Sequence, residues 1–189
     1  MACSSSALRR KALKTFLFIL LFTSSVFAQT NPPLAQAQSA CGPLDVHFDA
    51  QTLASSPPAG PEPGEALVYV AEEFRRAPGE LGDPTIRVGL DGVWMGATRA
   101  NSYLYFSVAP GEHHLCTNWQ SRLKRLSQLA AFSRFTAGPG RTYYFRARIT
   151  YVTYGAGPSN MDLDLEAVDP DEGRFLVASF RLSSSHAKK

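Results

Sequence analysis

A chain of 189 residues, 44% hydrophobic and 11% aromatic, has the apolar material for one domain with its own core, which excludes a wholly disordered protein. The formal charge of +3 is local: four of the 19 Lys and Arg (Arg9, Arg10, Lys11 and Lys14) and none of the 16 acids lie in residues 1–28, so the rest carries 15 against 16, or −1. That balance removes the main support for a nucleic-acid partner.

Residues 1–28 read as a secretory signal peptide. The four basic residues form its n-region, Phe16 to Phe22 is an unbroken apolar run, and Val26-Phe27-Ala28 is a small-x-small cleavage site. The stretch 15–28 includes Thr23, Ser24 and Ser25 and falls short of the roughly 20 apolar residues that a span needs, so no stable transmembrane span is expected after cleavage. The expected location is exported, periplasmic or extracellular. In that oxidising setting Cys41 and Cys116, the pair left once Cys3 departs, are expected to form a disulfide. Closing so long a loop is worth about 4 kcal/mol in the chain-entropy description. A lipidated Cys41 is disfavoured, because Gln38 stands where an aliphatic residue is required.

Residues 29–63 form an arm and linker rich in Pro, Ala and Ser, ending in Pro57-Pro58-Ala59-Gly60-Pro61-Glu62-Pro63; such composition predicts extended chain. One island, residues 45–49, alternates apolar and polar and predicts a short strand pinned by Cys41. A single domain is expected over 64–185, with 186–189 beyond it and a polar tail running from Ser183.

The first strand, 66–72, holds the apolar run Leu67-Val68-Tyr69-Val70, the pattern of a central strand covered on both faces. A polar loop through Pro78-Gly79 leads to four short strands at 85–90, 93–97, 103–108 and 112–119. Asp91-Gly92 between the first two is a hairpin signal, since both positions of a type I′ turn need φ > 0. Pro110-Gly111 supplies another turn. Residues 120–135 are ambiguous: Leu123, Leu126 and Leu129 fit a helical stripe, but a loop and then a strand over about 127–136, hairpin-paired with the next strand, fits better. After the turn Ala137-Gly138-Pro139-Gly140, residues 143–151 place Phe145, Ala147 and Ile149 on one face and Tyr144, Arg146 and Arg148 on the other. Residues 161–167 place Met161, Leu163 and Leu165 against Asp162, Asp164 and Glu166. Paired across Gly155-Ala156-Gly157-Pro158, these two strands would join one core and align their charges. Asp169-Pro170-Asp171-Glu172 suits a helix start, with Phe175, Ser179 and Leu182 along one face, while Leu176, Ala178, Phe180 and Leu182 suit a strand. Both stay open. The class is all-β, with room for one short C-terminal helix.

His113-His114 beside Cys116 invites a metal, but neighbours on a strand point to opposite faces and a bridged cysteine is no ligand, so packing or surface histidines are expected. Asp162, Asp164 and Glu166 have the spacing of a calcium stripe, yet Arg146 and Arg148 offer a simpler partner. No glycine-rich phosphate loop and no nucleophile elbow is present. Neither an enzyme nor a cofactor or metal is expected. The candidate binding surface is aromatic and polar: Trp94, Tyr103, Tyr105, His114 and Trp119, with Tyr103 and Tyr105 opposite the core face.

The segments Pro63-Gly64-x-Ala66-Leu67-Val68-Tyr69-Val70, Val88-x-Leu90-Asp91-Gly92, Val108-x-Pro110-Gly111-Glu112-His113 and Gly140-x-Thr142-Tyr143-Tyr144-Phe145 resemble a bacterial family known as domain of unknown function 2846. The Asp-Gly hairpin followed by Pro-Gly-Glu-His is also similar to PEGA-type envelope modules. The resemblance covers about 64–167. It implies an exported immunoglobulin-like or transthyretin-like β-sandwich, here of about seven to nine antiparallel strands, and supplies no catalytic residues. The expected function is a non-catalytic module that binds an envelope component or protein partner; a carbohydrate or peptidoglycan binder is the alternative, and an uncharacterised enzyme the least favoured.

Overall fold

The computed structural model describes residues 41–54, 57–75, 83–152 and 160–188. The expected signal peptide, the start of the arm, the Pro78-Gly79 loop and the Gly155-to-Pro158 turn lie outside the described residues. In chain order the elements are β1 (Phe48–Leu53), β2 (Ala66–Glu73), β3 (Thr85–Leu90), β4 (Val93–Arg99), β5 (Ser102–Val108), β6 (Gly111–Trp119), a single helical turn α1 (Lys124–Ser127), β7 (Ala130–Ala137), β8 (Thr142–Val152), β9 (Asn160–Val168), helix α2 (Pro170–Ser179) and β10 (Arg181–Ala187). They form a six-stranded sheet, β1-β10-β5-β2-β8-β9, and a four-stranded antiparallel sheet, β4-β3-β6-β7. The mainly-β expectation stands, but the described residues hold ten strands, and β2–β8 and β10–β5 pair in parallel.

One core joins the two sheets. Val68 and Val70 of β2, Leu104 and Phe106 of β5, and Phe145, Ala147 and Ile149 of β8 meet Ile86, Val88 and Leu90 of β3 and Leu115 and Trp119 of β6. These residues recur every second position, as a strand with one face inward requires. Leu67, Tyr69 and Ala71 point the other way, where Tyr103 and the α2 residues Leu176 and Val177 cover them. Both faces of β2 are therefore dry, which explains its continuous apolar run.

The parallel pairing follows from a change of sheet. β7 pairs with β6, not with β8 as the sequence suggested. The turn at 138–141 carries the chain across to the other sheet: Gly140 N–H donates to Glu65 O at 2.8 Å, and Leu67 N–H to Arg141 O at 2.9 Å. Tyr143 fixes the crossing, its hydroxyl accepting from Gly138 N–H at 3.0 Å and donating to Thr136 O at 2.9 Å. β8 then lies beside β2 and pairs with β9 in the expected charge-aligned register, Arg146 opposite Glu166 and Arg148 opposite Asp164.

At the C-terminal end, helix and strand occur in succession. Asp169 caps α2 by accepting from Asp171 N–H at 2.8 Å and Glu172 N–H at 3.0 Å, with Pro170 in the first turn. The helix turns Gly173, Leu176 and Val177 inward and leaves Phe175 69% exposed, so the expected Phe175 face is corrected. Gly173 sets that phase: a Cβ there would stand 2.1 Å from Cγ of Tyr144. The polar run from Ser183 is no tail but part of β10. Its hydroxyls replace apolar contacts, Ser183 Oγ donating to Ala97 O at 2.7 Å and Ser185 Oγ accepting from Ala97 N–H at 2.8 Å. β10 also pairs with β1 from Phe48↔Ala187 to Leu53↔Leu182, which places the arm strand at 48–53 rather than 45–49.

Substituting Gly173→Ala should destabilise the protein by about 1–3 kcal/mol through overpacking against Tyr144, measured as a lower urea midpoint with an unchanged slope. An unchanged midpoint would show that the helix is not seated on that ring.

Candidate functional site

The outer face of the four-stranded sheet is closed by the arm. Cys41 and Cys116 form a disulfide with Cα atoms 5.3 Å apart, as the cysteine count predicted. Opposite Cys116 on β3 stands Gly89, and a Cβ there would lie 3.1 Å from the Trp94 ring and 3.3 Å from Cys41 Cα. Gly42 lies under Trp94 so closely that a Cβ would meet Cδ1 at 2.3 Å. The indole Nε1–H donates to Pro43 O at 2.8 Å.

Arg87 is the centre of this face. It is 3% exposed, and its Nη1 donates to Leu44 O at 3.0 Å and Val46 O at 2.6 Å. Nε and Nη2 both donate to Asn118 Oδ1, the Nε bond at 3.1 Å, and the guanidinium carbon lies 4.6 Å from the Trp94 ring centre. Burial lowers its pKa, but from a starting value so high that the group stays charged. Asn118 is held in turn, its Nδ2 donating to Ser127 O and Leu129 O at 3.0 Å each. Just beyond, Gln120 acts as a short strand: Oε1 accepts from Phe48 N–H at 2.6 Å and Nε2 donates to Phe48 O at 2.8 Å.

The surface expected from sequence is not gathered in one place. Trp94 is engaged with the arm, Trp119 is in the shared core, and Tyr103 is 1% exposed beneath α2. Alternation correctly put Tyr103 opposite the core, but that face has a second cover. Tyr105 remains 38% exposed, and His114 is exposed on the hairpin end with Nε2 3.6 Å from Glu112.

His113 ties Asp91, in the β3–β4 turn, to β6. Nδ1 of His113 lies 2.7 Å from Asp91 Oδ2 and Nε2 lies 2.8 Å from Ala109 O, while Asp91 Oδ1 accepts from His114 N–H at 2.8 Å. Both ring nitrogens face acceptors, so the geometry favours the imidazolium. Partial burial opposes that charge, but the bonds to Asp91 and Ala109 prevail and raise the His113 pKa. Partial burial likewise works against the Asp91 carboxylate, and the His114 N–H and His113 prevail in lowering its pKa. This is no catalytic dyad, because the nitrogen that would serve a nucleophile is occupied by a carbonyl.

The acidic stripe is tied down. Glu166 receives Arg146 at 2.6 Å and Arg148 at 2.8 Å, Arg146 also reaches Glu172, and Glu73 lies 3.7 Å from it. Thr150 Oγ1 donates to Asp164 at 3.4 Å, and Asp162 accepts from Leu163 N–H at 2.9 Å. Among the described residues no three His, Cys, Asp or Glu side chains converge as metal ligands. Glu72 is fully buried, and burial pushes its pKa up to about 8. Thr98 and the Ala100 N–H act in the opposite direction, but burial prevails and favours the neutral acid.

Two further features remain. Tyr105, Tyr69 and Tyr144 stand opposite one another on β5, β2 and β8, with ring centres 5.7 and 5.2 Å apart. At the root of the arm an open cleft of about 760 Å³ is lined by Asp45, His47, Gln120, Ser121, Arg122 and Lys188. Comparison with protein-family models and with curated proteins returns no match. Arg87, Arg122, Lys188 and Tyr69 were missed in the sequence. Arg87 and Tyr69 were read as ordinary members of their strands, and Arg122 and Lys188 lie 66 positions apart on segments that only the fold brings together.

The His113 clamp has a defined pH signature. With a folded pKa above the unfolded value of about 6.5, its stabilisation is complete below that pH and is lost as pH rises through the folded value. His113→Asn should therefore be destabilising relative to wild type at pH 5.5 and progressively less so towards pH 9, followed by urea denaturation. A difference independent of pH would contradict the charged clamp.

Proposed function

We propose that this protein is an exported, non-catalytic binding module that holds an anionic component of the cell envelope in the cleft at the root of its arm. The carrying observation is the composition of that cleft: Arg122, Lys188 and His47 line it with a single acid, Asp45, and none of the three bases has an ion-pair partner among the described residues. A concave wall with surplus positive charge concentrates anions. It stands out on a chain whose expected mature form carries a charge of about −1 by the signal-peptide count.

The Cys41–Cys116 disulfide agrees with an oxidising, exported location, and among the described residues no helix is long and apolar enough to cross a membrane. Two sheets sharing one core support an immunoglobulin-like or transthyretin-like sandwich of the kind implied by the resemblance to the exported family of unknown function. The motifs behind that resemblance have structural roles here, since Asp91 in the β3–β4 turn binds His113 of β6. A glycan platform built on exposed aromatics is less favoured, because Tyr103 and Trp119 are buried.

Fluorescence anisotropy tests this with a labelled uronic-acid oligosaccharide, a glycerol-phosphate oligomer and a neutral glucan of similar length. At least one anionic probe should bind with an affinity that falls with added salt, and Arg122→Ala with Lys188→Ala should weaken it about ten-fold or more without lowering the Tm, since both side chains are exposed. Equal binding of the neutral glucan, or full affinity in the double variant, would count against the cleft.

A further inference from the structure

We infer that the connection between β6 and β7 docks the protein onto an anionic phospholipid surface, with Arg122, Lys124 and Arg125 meeting headgroups and Leu123 entering the acyl boundary between them. The inference rests on the cleft reading for Arg122 and Lys188, and goes beyond it in Leu123, Lys124 and Arg125. From His113 to Asn160 the sequence has no Asp or Glu, and within that stretch Arg122-Leu123-Lys124-Arg125 is its densest run of charge. All four of these residues are exposed. None of the three bases is in an ion pair among the described residues. Lys188 shares the adjoining cleft wall with Arg122 and adds a fourth positive charge there, against the one acid Asp45.

The exposure of Leu123 is built into the connection. It stands at the N-cap of α1 with extended backbone, φ −80° and ψ 113°, so the turn that packs Leu126 and Leu129 against the core leaves it outside, 54% exposed. The segment is firmly held in that shape. Leu123 N–H donates to Ser121 Oγ at 3.1 Å, and Leu126 N–H and Ser127 N–H donate to Leu123 O at 2.9 and 3.0 Å. Asn118 Nδ2, itself fixed by Arg87, anchors the end of the turn through Ser127 O at 3.0 Å. A lone exposed leucine is ordinary on a protein surface. One held among three cations matches both layers of a lipid surface, anionic headgroups and the hydrocarbon beneath them, whereas a soluble anion would use the cations alone.

Co-sedimentation of the full chain after signal removal tests this, with vesicles of equimolar phosphatidylglycerol and phosphatidylcholine set against phosphatidylcholine alone. The protein should partition to the anionic vesicles, and less so as salt is added. Each Lys or Arg near such a surface contributes about five-fold in partitioning, so Lys124→Ser with Arg125→Ser should weaken binding about ten-fold or more. Leu123→Ser should weaken it several-fold, and both variants should keep the wild-type Tm because these side chains are exposed. No binding to the anionic vesicles, equal binding to the neutral ones, or full binding by both variants would each overturn the assignment. These three residues are not part of the cleft wall, so both variants should still bind the soluble glycerol-phosphate oligomer. Loss of that binding together with vesicle binding would overturn the separate role of the connection. Vesicle binding by a wild type that binds no soluble anion would support it and count against the cleft alone.

Discussion

A buried guanidinium must have acceptors, and in this protein two of them, Leu44 O and Val46 O, belong to the arm. Arg87 rises from the middle of β3 and hydrogen-bonds Leu44 O, Val46 O and Asn118 Oδ1 beneath the Trp94 ring. Hydrogen bonds to a charged group contribute about 1.5–3 kcal/mol each, and leaving the charge buried without them costs more. The disulfide fixes where the arm begins on the sheet, and Arg87 fixes its path from there.

The remaining architecture follows from that path. Once Val46 O is held, Phe48 meets the Gln120 amide and starts β1. β1 pairs with β10, and the serines of β10 bind both backbone groups of Ala97 on β4. The arm thus closes a circuit from β3 of one sheet, through β1 and β10 of the other, back to β4. The same path brings Asp45 and His47 to Arg122 and Lys188 and so forms the cleft. Past β1, the chain reaches the opposite face, where Pro58 meets Tyr69.

Much of the scaffold was legible because it rests on local chemistry. Asp91 and Gly92 take φ of 51° and 87°, as the hairpin signal required, and alternation placed Ile86, Val88, Leu104 and Phe106 in the core. The disulfide followed from parity and compartment. What was not legible depends on a cover supplied from elsewhere. Arg87 alternates with apolar residues and looks solvent-facing until the arm lies over it, and Tyr103 looks exposed until α2 does. β10 gave no apolar signal because hydroxyls do its packing. The phase of α2 was set by the one position without a side chain, Gly173, which no count of apolar residues reveals.

The central claim is that Arg87 holds the arm. Hydrogen–deuterium exchange of the amides in residues 46–52, compared between the disulfide-intact wild type and Arg87→Met, tests it most directly. Faster exchange there, by about ten-fold or more, with protection kept in β2 and β8, is the predicted result. Unchanged protection in 46–52 would show that the disulfide and β1 hold the arm without the guanidinium, contradicting the claim.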